Sequence, residues 1–285
     1  MTISQGFLFT QSNLQDYVEC QRRFQLRYLL HLDWPAVEAE PFQEHELLVK
    51  QGSQFHKIVR QHLSGIPEPE IERSIANDET MHLYWQNYLQ SRQQGILAEI
   101  FTDASRHYEE ITVSTPLQSF RLIARYDVLV IQPDGKLIIL DWKTSQNHPK
   151  RKWLGDRLQT RVYPFVLARH IAGITDHLQV DPNRIEMVYW FVNFPDQPER
   201  FQFNELLYSA DKQYLDDLAL AISQKSDTVF PLTLDERHCL FCTYRSLCDR
   251  GVKPGELHQL EEGQEAEPAS EDAIIDFEQV IEIEF

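Results

Sequence analysis

The sequence predicts a single mixed domain of the α/β or α+β class, and three observations lead there. Helical periodicity dominates the first hundred residues, strand-like alternation follows, and a helix, a strand and a further helix close the ordered part. That succession fits a mixed sheet flanked by helices. Composition agrees: 285 residues, 42% hydrophobic and 25% charged, with 10 Gly and 14 Pro. These values exclude collagen-like and wholly disordered chains.

The elements follow in order. Residues Ser12 to Leu30 read as one amphipathic helix, with Ser12 or Asn13 as N-cap and Leu14, Tyr17, Phe24 and Tyr28 along its apolar stripe. A second helix is expected from about Glu44 to Leu63, ended by Ser64-Gly65-Ile66-Pro67, and a third from Asp78 to Gln94, ended near Gly95. Glu109 to Pro116 and Arg121 to Val130 alternate as strands. The turn Gln132-Pro133-Asp134-Gly135 then leads into Lys136 to Trp142, which predicts a hairpin. Leu158 to His170 is helical, Ile185 to Asn193 is a strand with Glu199 to Phe203 as its hairpin partner, and Leu206 to Ser223 is helical. The ordered domain is expected over residues 1–252, and 253–285 as an acidic, disordered tail. The last stretch, IIDFEQVIEIEF, alternates apolar residues with acids, so a solubilising tail and a docking segment both remain open.

No stretch approaches the ~20 apolar residues that cross a bilayer, and the N-terminus lacks a basic segment leading into an apolar one. A cytoplasmic protein with no membrane partner is expected. The net charge of −17 argues at first against nucleic acid. From Lys253 to Phe285, however, 11 acids stand against one base, a net of −10; the other 252 residues carry 26 basic and 33 acidic side chains, a net of −7. The body therefore keeps room for local basic surface. One such strip is Lys150, Arg151, Lys152, Arg157 and Arg161, set against Asp156 alone. A phosphodiester substrate would want cations of this kind, although a solvated helix often carries them.

The hairpin carries the first candidate chemistry. With a three-residue loop, Gln132 pairs with Lys136 and Asp127 stands opposite Asp141; with a two-residue loop Asp127 faces Trp142 instead. Lys143, two residues after Asp141, projects to the same face. Two acids that close repel unless a cation or proton lies between them. With a lysine beside them they can hold a hard divalent ion and position water. Taken alone, Asp141 and Lys143 read as an ordinary strand-end ion pair. The apolar run Leu137 to Leu140 before them changes that weighting, because sites often form where a buried strand emerges. So does the helix after them, which carries Gln159 and Tyr163 on one face.

The cysteines form a second group. Cys20 stands near the start; Cys239, Cys242 and Cys248 follow as C-x2-C-x5-C. Four thiolates suit either zinc or a 4Fe–4S cluster, and a reducing compartment disfavours disulfides.

These pieces together resemble the PD-(D/E)XK nucleases, specifically their RecB-like iron–sulfur branch of AddB-type and CRISPR-associated exonucleases. The resemblance runs over about residues 12 to 250. It rests on SNLQDYVECQRRFQLRYLL, GSQFHKIV, ARYDVLV, ILDWKTS, QTRVY and CLFCTYRSLC in that order. The family often has Gly-Arg before the first metal acid, where this chain has Ala124-Arg125-Tyr126.

The resemblance implies a restriction-endonuclease-like mixed central sheet flanked by helices, with a helical N-terminal part and a C-terminal cysteine region. It implies that Asp127 and Asp141 bind Mg²⁺ or Mn²⁺, joined by His56 and the Trp142 carbonyl, and that Lys143 orients the attacking water. Gln159 and Tyr163 would place substrate and active-site groups, and Glu110, or its neighbour Glu109, is a weaker candidate for an additional acid. Cys20, Cys239, Cys242 and Cys248 would hold the 4Fe–4S cluster, with zinc the other possibility. The implied activity is a metal-dependent DNA exonuclease acting on single-stranded ends, in repair, recombination or CRISPR adaptation. The alternative is a non-catalytic nucleic-acid-binding scaffold subunit of a helicase–nuclease complex; a small redox protein would leave the acid–lysine hairpin unexplained. The chain has no G-x4-GK[ST] phosphate loop, so unwinding would come from a helicase partner.

Overall fold

Thr10 sets where the chain first turns helical. Its hydroxyl accepts from the Asn13 amide at 3.2 Å and the Asn13 side chain accepts from the Thr10 amide at 3.0 Å, a reciprocal cap. In the computed structural model, which describes residues 3–32, 40–174, 181–226 and 228–251 (side chains at 40–46 and 171–174 aside), that cap joins β1 (Leu8–Thr10) to α1 (Gln11–Glu19). There follow α2 (Gln21–Phe24) running into a π-helical turn, α3 (Glu40–Leu63), α4 (Glu68–Ser74), α5 (Glu79–Gln94) and α6 (Ile96–Ile100). The second half comprises β2 (Arg106–Leu117), β3 (Phe120–Ile131), β4 (Leu137–Lys143), α7 (Arg151–Asp156), α8 (Leu158–Ile174), β5 (Ile185–Phe191), β6 (Glu199–Gln202) and α9 (Glu205–Ser223). No described helix is long and apolar enough to cross a membrane. The acidic tail lies outside the described residues.

The expected helix from Ser12 to Leu30 is in fact broken at Cys20, whose backbone is extended (φ −157°, ψ 102°). Cys20 ends α1 and caps α2, its Sγ accepting from the Arg23 amide at 3.4 Å. Apolar residues continue on both sides of the break, so periodicity hides it. The N-cap is Thr10 rather than Ser12 or Asn13.

The sheet runs β1-β3-β4-β5-β6, with β2 antiparallel on the other edge of β3. The fold is thus a mixed sheet flanked by helices, as expected. The hairpin takes the three-residue loop: the Gln132 amide donates to the Lys136 carbonyl at 2.9 Å, and Gly135 supplies the left-handed φ of +84° that the turn needs. β3 and β4 then pair from Ile131↔Leu137 to Val128↔Leu140. β4 and β5 run parallel, joined through α7 and α8, and β5 is buried along its whole length.

Two apolar layers cover the sheet. Leu129, Ile139, Met187 and Tyr189 pack with α1, α8 and α9 on one face; Val128, Val130, Leu140, Trp142 and Trp190 pack with α3 and α5 on the other. The alternation slips once in β3. Leu122, Ala124 and Tyr126 share the face of Leu129 and Ile131, so even-numbered residues change face just past Asp127. β2 slips at the same level: its ladder with β3 steps from Glu109↔Val128 to Ile111↔Tyr126, and Glu110 has φ +47°. Both strands bulge together, and Asp127 sits at the bulge.

Candidate active site

Helix α3 lies across the ends of β4, β3 and β2 and offers one residue per turn to them. At Gly52 a Cβ would meet Thr144 Oγ1 at 3.0 Å, so a glycine lets the helix close on the end of β4. One turn on, His56 Nδ1 is 3.3 Å from Asp127 Oδ1 and its Nε2 is 3.0 Å from the Trp142 carbonyl oxygen. One more turn brings Arg60 to Glu110 at 2.5 Å. The helical repeat of ~5.4 Å per turn nearly matches the ~4.8 Å spacing of strands, which is why positions four apart reach successive strands.

Both ring nitrogens of His56 face oxygens, an arrangement that favours the protonated ring. Burial alone would lower its pKa, but the Asp127 carboxylate outweighs burial and pushes it up to about 9. Burial conversely opposes charge on Asp127; His56 and the Trp142 amide, which donates to Asp127 Oδ2 at 2.8 Å, hold it below the usual range.

Asp127 therefore does not oppose Asp141 in regular strand pairing, as the three-residue loop alone implied. The regular ladder stops at Val128↔Leu140, and the bulge turns Asp127 onto the next amide, that of Trp142. Asp141 faces the α8 layer. It is 4% exposed, with Lys143 Nζ 2.9 Å from Oδ2 and Gln159 Nε2 donating to Oδ1 at 2.6 Å. Lys143 also donates to Gln159 Oε1 at 3.3 Å, closing a triangle. Tyr163 lies one turn after Gln159, and burial and then the two aspartates push its phenol well above the usual range, so it stays neutral. Its ring packs edge-on against Tyr126 at 5.2 Å. Asp127, Asp141, Lys143, Gln159, Tyr163, His56 and Trp142 are thus brought to one place, reached from both helical layers.

Among the described residues, no three His, Cys, Asp or Glu side chains stand in ready metal-binding geometry. His56 fills the gap between Asp127 and the Trp142 carbonyl. The donor set itself, two carboxylates, a carbonyl and an imidazole, suits a hard divalent ion, which would replace the proton on His56.

The strip of cations after β4 has a different role from the one composition alone allowed. Arg151 reaches Glu199 of β6 at 2.5 Å, Arg157 reaches Glu19 of α1 at 2.6 Å, and Arg161 reaches Asp211 of α9 at 2.6 Å. These pairs tie α7 and α8 to their neighbours. Their partners lie 48 or more residues away, where a local reading does not look. Glu110, the candidate additional acid, accepts from Arg60 and from Arg125 at 3.0 Å, so guanidinium groups take its carboxylate. Arg60 escaped the sequence reading, although its place four residues after His56 was the signal for it.

Near Cys20, where α1 ends, the segment that carries the other three cysteines folds back. Residues 228–239 return to α2: the Phe230 amide donates to Gln25 Oε1 at 2.9 Å, the Arg22 amide to the Pro231 carbonyl at 3.1 Å, and Arg23 to the His238 carbonyl at 3.4 Å. All four thiols are free. Burial first, then Cys242, Cys20 and Cys248, raise Cys239 to about 11 while Arg250 opposes them. The described cysteines do not stand in ready metal-binding geometry, although four thiolates as a donor set suit a zinc ion or an iron–sulfur cluster.

Comparison with known proteins adds a family. The model of the PD-(D/E)XK nuclease superfamily matches residues 8–249. No curated protein matches the chain significantly. Among solved structures, a candidate exonuclease from Eubacterium rectale is similar at 7% identity and a TM-score of 0.48, over 75% of this chain and 79% of its own. The protein SSO0001 is similar at 15% identity and a TM-score of 0.38, over 86% of this chain and 87% of its own.

Proposed function

This chain belongs to the PD-(D/E)XK nuclease superfamily, and from that premise we propose that it is a metal-dependent DNA exonuclease acting on single-stranded ends. The observation that carries the reading is the triangle of Asp141, Lys143 and Gln159 beside the bulged Asp127. Nucleases of this superfamily generally use divalent ions such as Mg²⁺. Here Asp127, Asp141, His56 and the Trp142 carbonyl would hold Mg²⁺ or Mn²⁺, which when bound supplies Lewis acidity toward the scissile phosphate.

The chain's own residues do the rest. Lys143 lies against Asp141 in a buried pocket, where its ammonium is a strong field for a water nucleophile and for charge growing on the phosphate. Gln159 bridges both groups, fixing the Lys143 rotamer beside the Asp141 carboxylate. Tyr163, neutral beside the two aspartates one turn further along α8, offers a hydroxyl for placing substrate. His56 couples Asp127 to the Trp142 carbonyl. The Cys20, Cys239, Cys242 and Cys248 group would hold a 4Fe–4S cluster in a structural role, and a helicase would supply single-stranded ends in repair, recombination or CRISPR adaptation.

The test is incubation of purified protein with end-labelled single- and double-stranded DNA, with and without Mn²⁺. Mn²⁺-dependent release of short products from single-stranded ends is expected. Tight binding without cleavage under every metal condition would replace this reading with a non-cutting scaffold.

A further inference from the structure

Glu110 on β2 and Asp127 on β3 fall at the step in their ladder, and Asp127 and Asp141 lie just past the last regular pair of β3 with β4. Each has a cation against it: Asp141 has Lys143, Asp127 has His56, and Glu110 has both Arg60 and Arg125. The first two pairs belong to the proposed catalytic group. The third stands outside it, and its Arg60 and Glu110 line a small cleft together with His56, Glu109, Asp127 and Trp142.

Stability does not explain this third group. Arg60 and Arg125 have side chains 46% and 55% exposed, where ion pairs contribute little. Glu110, a non-glycine residue, is held in the left-handed region at φ +47°, which costs stability. What the arrangement does achieve is placement. Both guanidinium groups converge on one oxygen, Glu110 Oε2, at 2.5 and 3.0 Å, and so stand side by side next to Asp127.

A phosphodiester approaching Asp127 and Asp141 meets two carboxylates in a chain of net charge −17, and needs cations on its path. Arg151, Arg157 and Arg161 pair with carboxylates elsewhere. Arg60 and Glu110 line the cleft itself, and Arg125 reaches it through Glu110.

We propose that Arg60 and Arg125, gathered by Glu110, form a clamp for a backbone phosphate of the DNA strand, seating it beside Asp127. The clamp rests on the nuclease reading above and adds its substrate-positioning residues. Arginine suits this role because its planar fork matches phosphate oxygens. Glu110 is then a positioning residue: it holds the two guanidinium groups together until a phosphate bridges them.

The experiment is binding of a fluorescein-labelled single-stranded oligonucleotide, by anisotropy across a salt series in Ca²⁺, alongside single-turnover cleavage in Mn²⁺. Arg60→Gln and Arg125→Gln are each expected to weaken binding about 5–10-fold at 0.1 M salt. Each should reduce the slope of log K against log salt by about 0.7, as loss of one phosphate contact requires. Lys212→Gln, an exposed cation on α9, is the control and should change neither. Should Arg60→Gln fail to fold, the more exposed Arg125→Gln decides alone. Unchanged affinity and slope in folded variants of a cleaving protein would overturn the clamp and leave the nuclease reading intact. A wild-type protein that neither binds nor cuts DNA would bring down both.

Discussion

The acid-lined site and the cysteine region pose opposite electrostatic problems. At the first, Asp141 has Lys143 against it, Asp127 has His56, and Glu110 has Arg60 and Arg125. At the second, burial and the other cysteines make ionisation of Cys239 harder, with Arg250 opposing them. The ion pairs of the first are made by the polypeptide, whereas the second would need the proposed cluster to hold four thiolates together. Function at the first should be lost without loss of fold, and fold at the second should be lost with less direct effect on chemistry.

The largest expected effect tests the first half of that contrast. Asp141→Asn should lower cleavage by about 10³-fold or more, since charge stabilisation of this kind is worth several kcal/mol. Lys143→Ala should remove cleavage as fully, but it also leaves Asp141 buried and uncompensated at a cost of about 3 kcal/mol. The double variant should regain that stability and remain inactive. Thermal melts beside cleavage rates check this, and residual metal-dependent cleavage in Lys143→Ala protein would end the role given to the lysine.

A smaller effect tests the second half. Cys20→Ser keeps a good N-cap on α2 but removes one of the four thiolates. Loss of a centre joining residues more than two hundred apart should cost about 3 kcal/mol, lowering Tm by about 6–12 °C. Absorbance near 400 nm should disappear with it, while cleavage below the melting range falls only a few-fold. A colourless wild-type protein with stoichiometric zinc would keep the clasp and discard the iron–sulfur assignment.

The smallest effect lies between the two regions. Burial opposes charge on Glu19, but Arg23 and Arg157 outweigh it and hold its carboxyl below the ordinary value of 4.5. A depressed pKa in the fold means that Glu19 contributes stability above pH 4.5 and loses it as pH falls through the lower, folded value. Wild-type protein should therefore lose Tm more steeply than Glu19→Gln between about pH 5 and pH 3. Parallel pH profiles would remove Glu19 from the list of stabilising acids.

Much of this was legible in the residues. Pro133-Asp134-Gly135 fixed a hairpin, and its register depended on one hydrogen bond, Gln132 to Lys136, which the structure supplies. Asp141, Lys143, Gln159 and Tyr163 follow from strand and helix periodicity once that register is known. What periodicity could not reveal were departures from it. The break at Cys20 lies between two segments that continue the same apolar stripe, and the paired bulge at Glu110 and Asp127 is hidden because β3 is apolar on both faces. β1 has three residues, too few to show alternation. The partners of Arg157 and Arg161 were invisible because ion pairing across a fold leaves no mark on local sequence.

Glu19 and Gln15 sit one turn apart on α1, just before Cys20, and both grip the start of α8: Gln15 accepts from the Leu158 amide at 2.9 Å and Glu19 from Arg157 at 2.6 Å. The next residue is Gln159. Oxidative damage at the thiols would thus slacken the last turn of α1 and blur the aim of the glutamine that steadies the lysine, so that a redox injury far from the cutting groups blunts them.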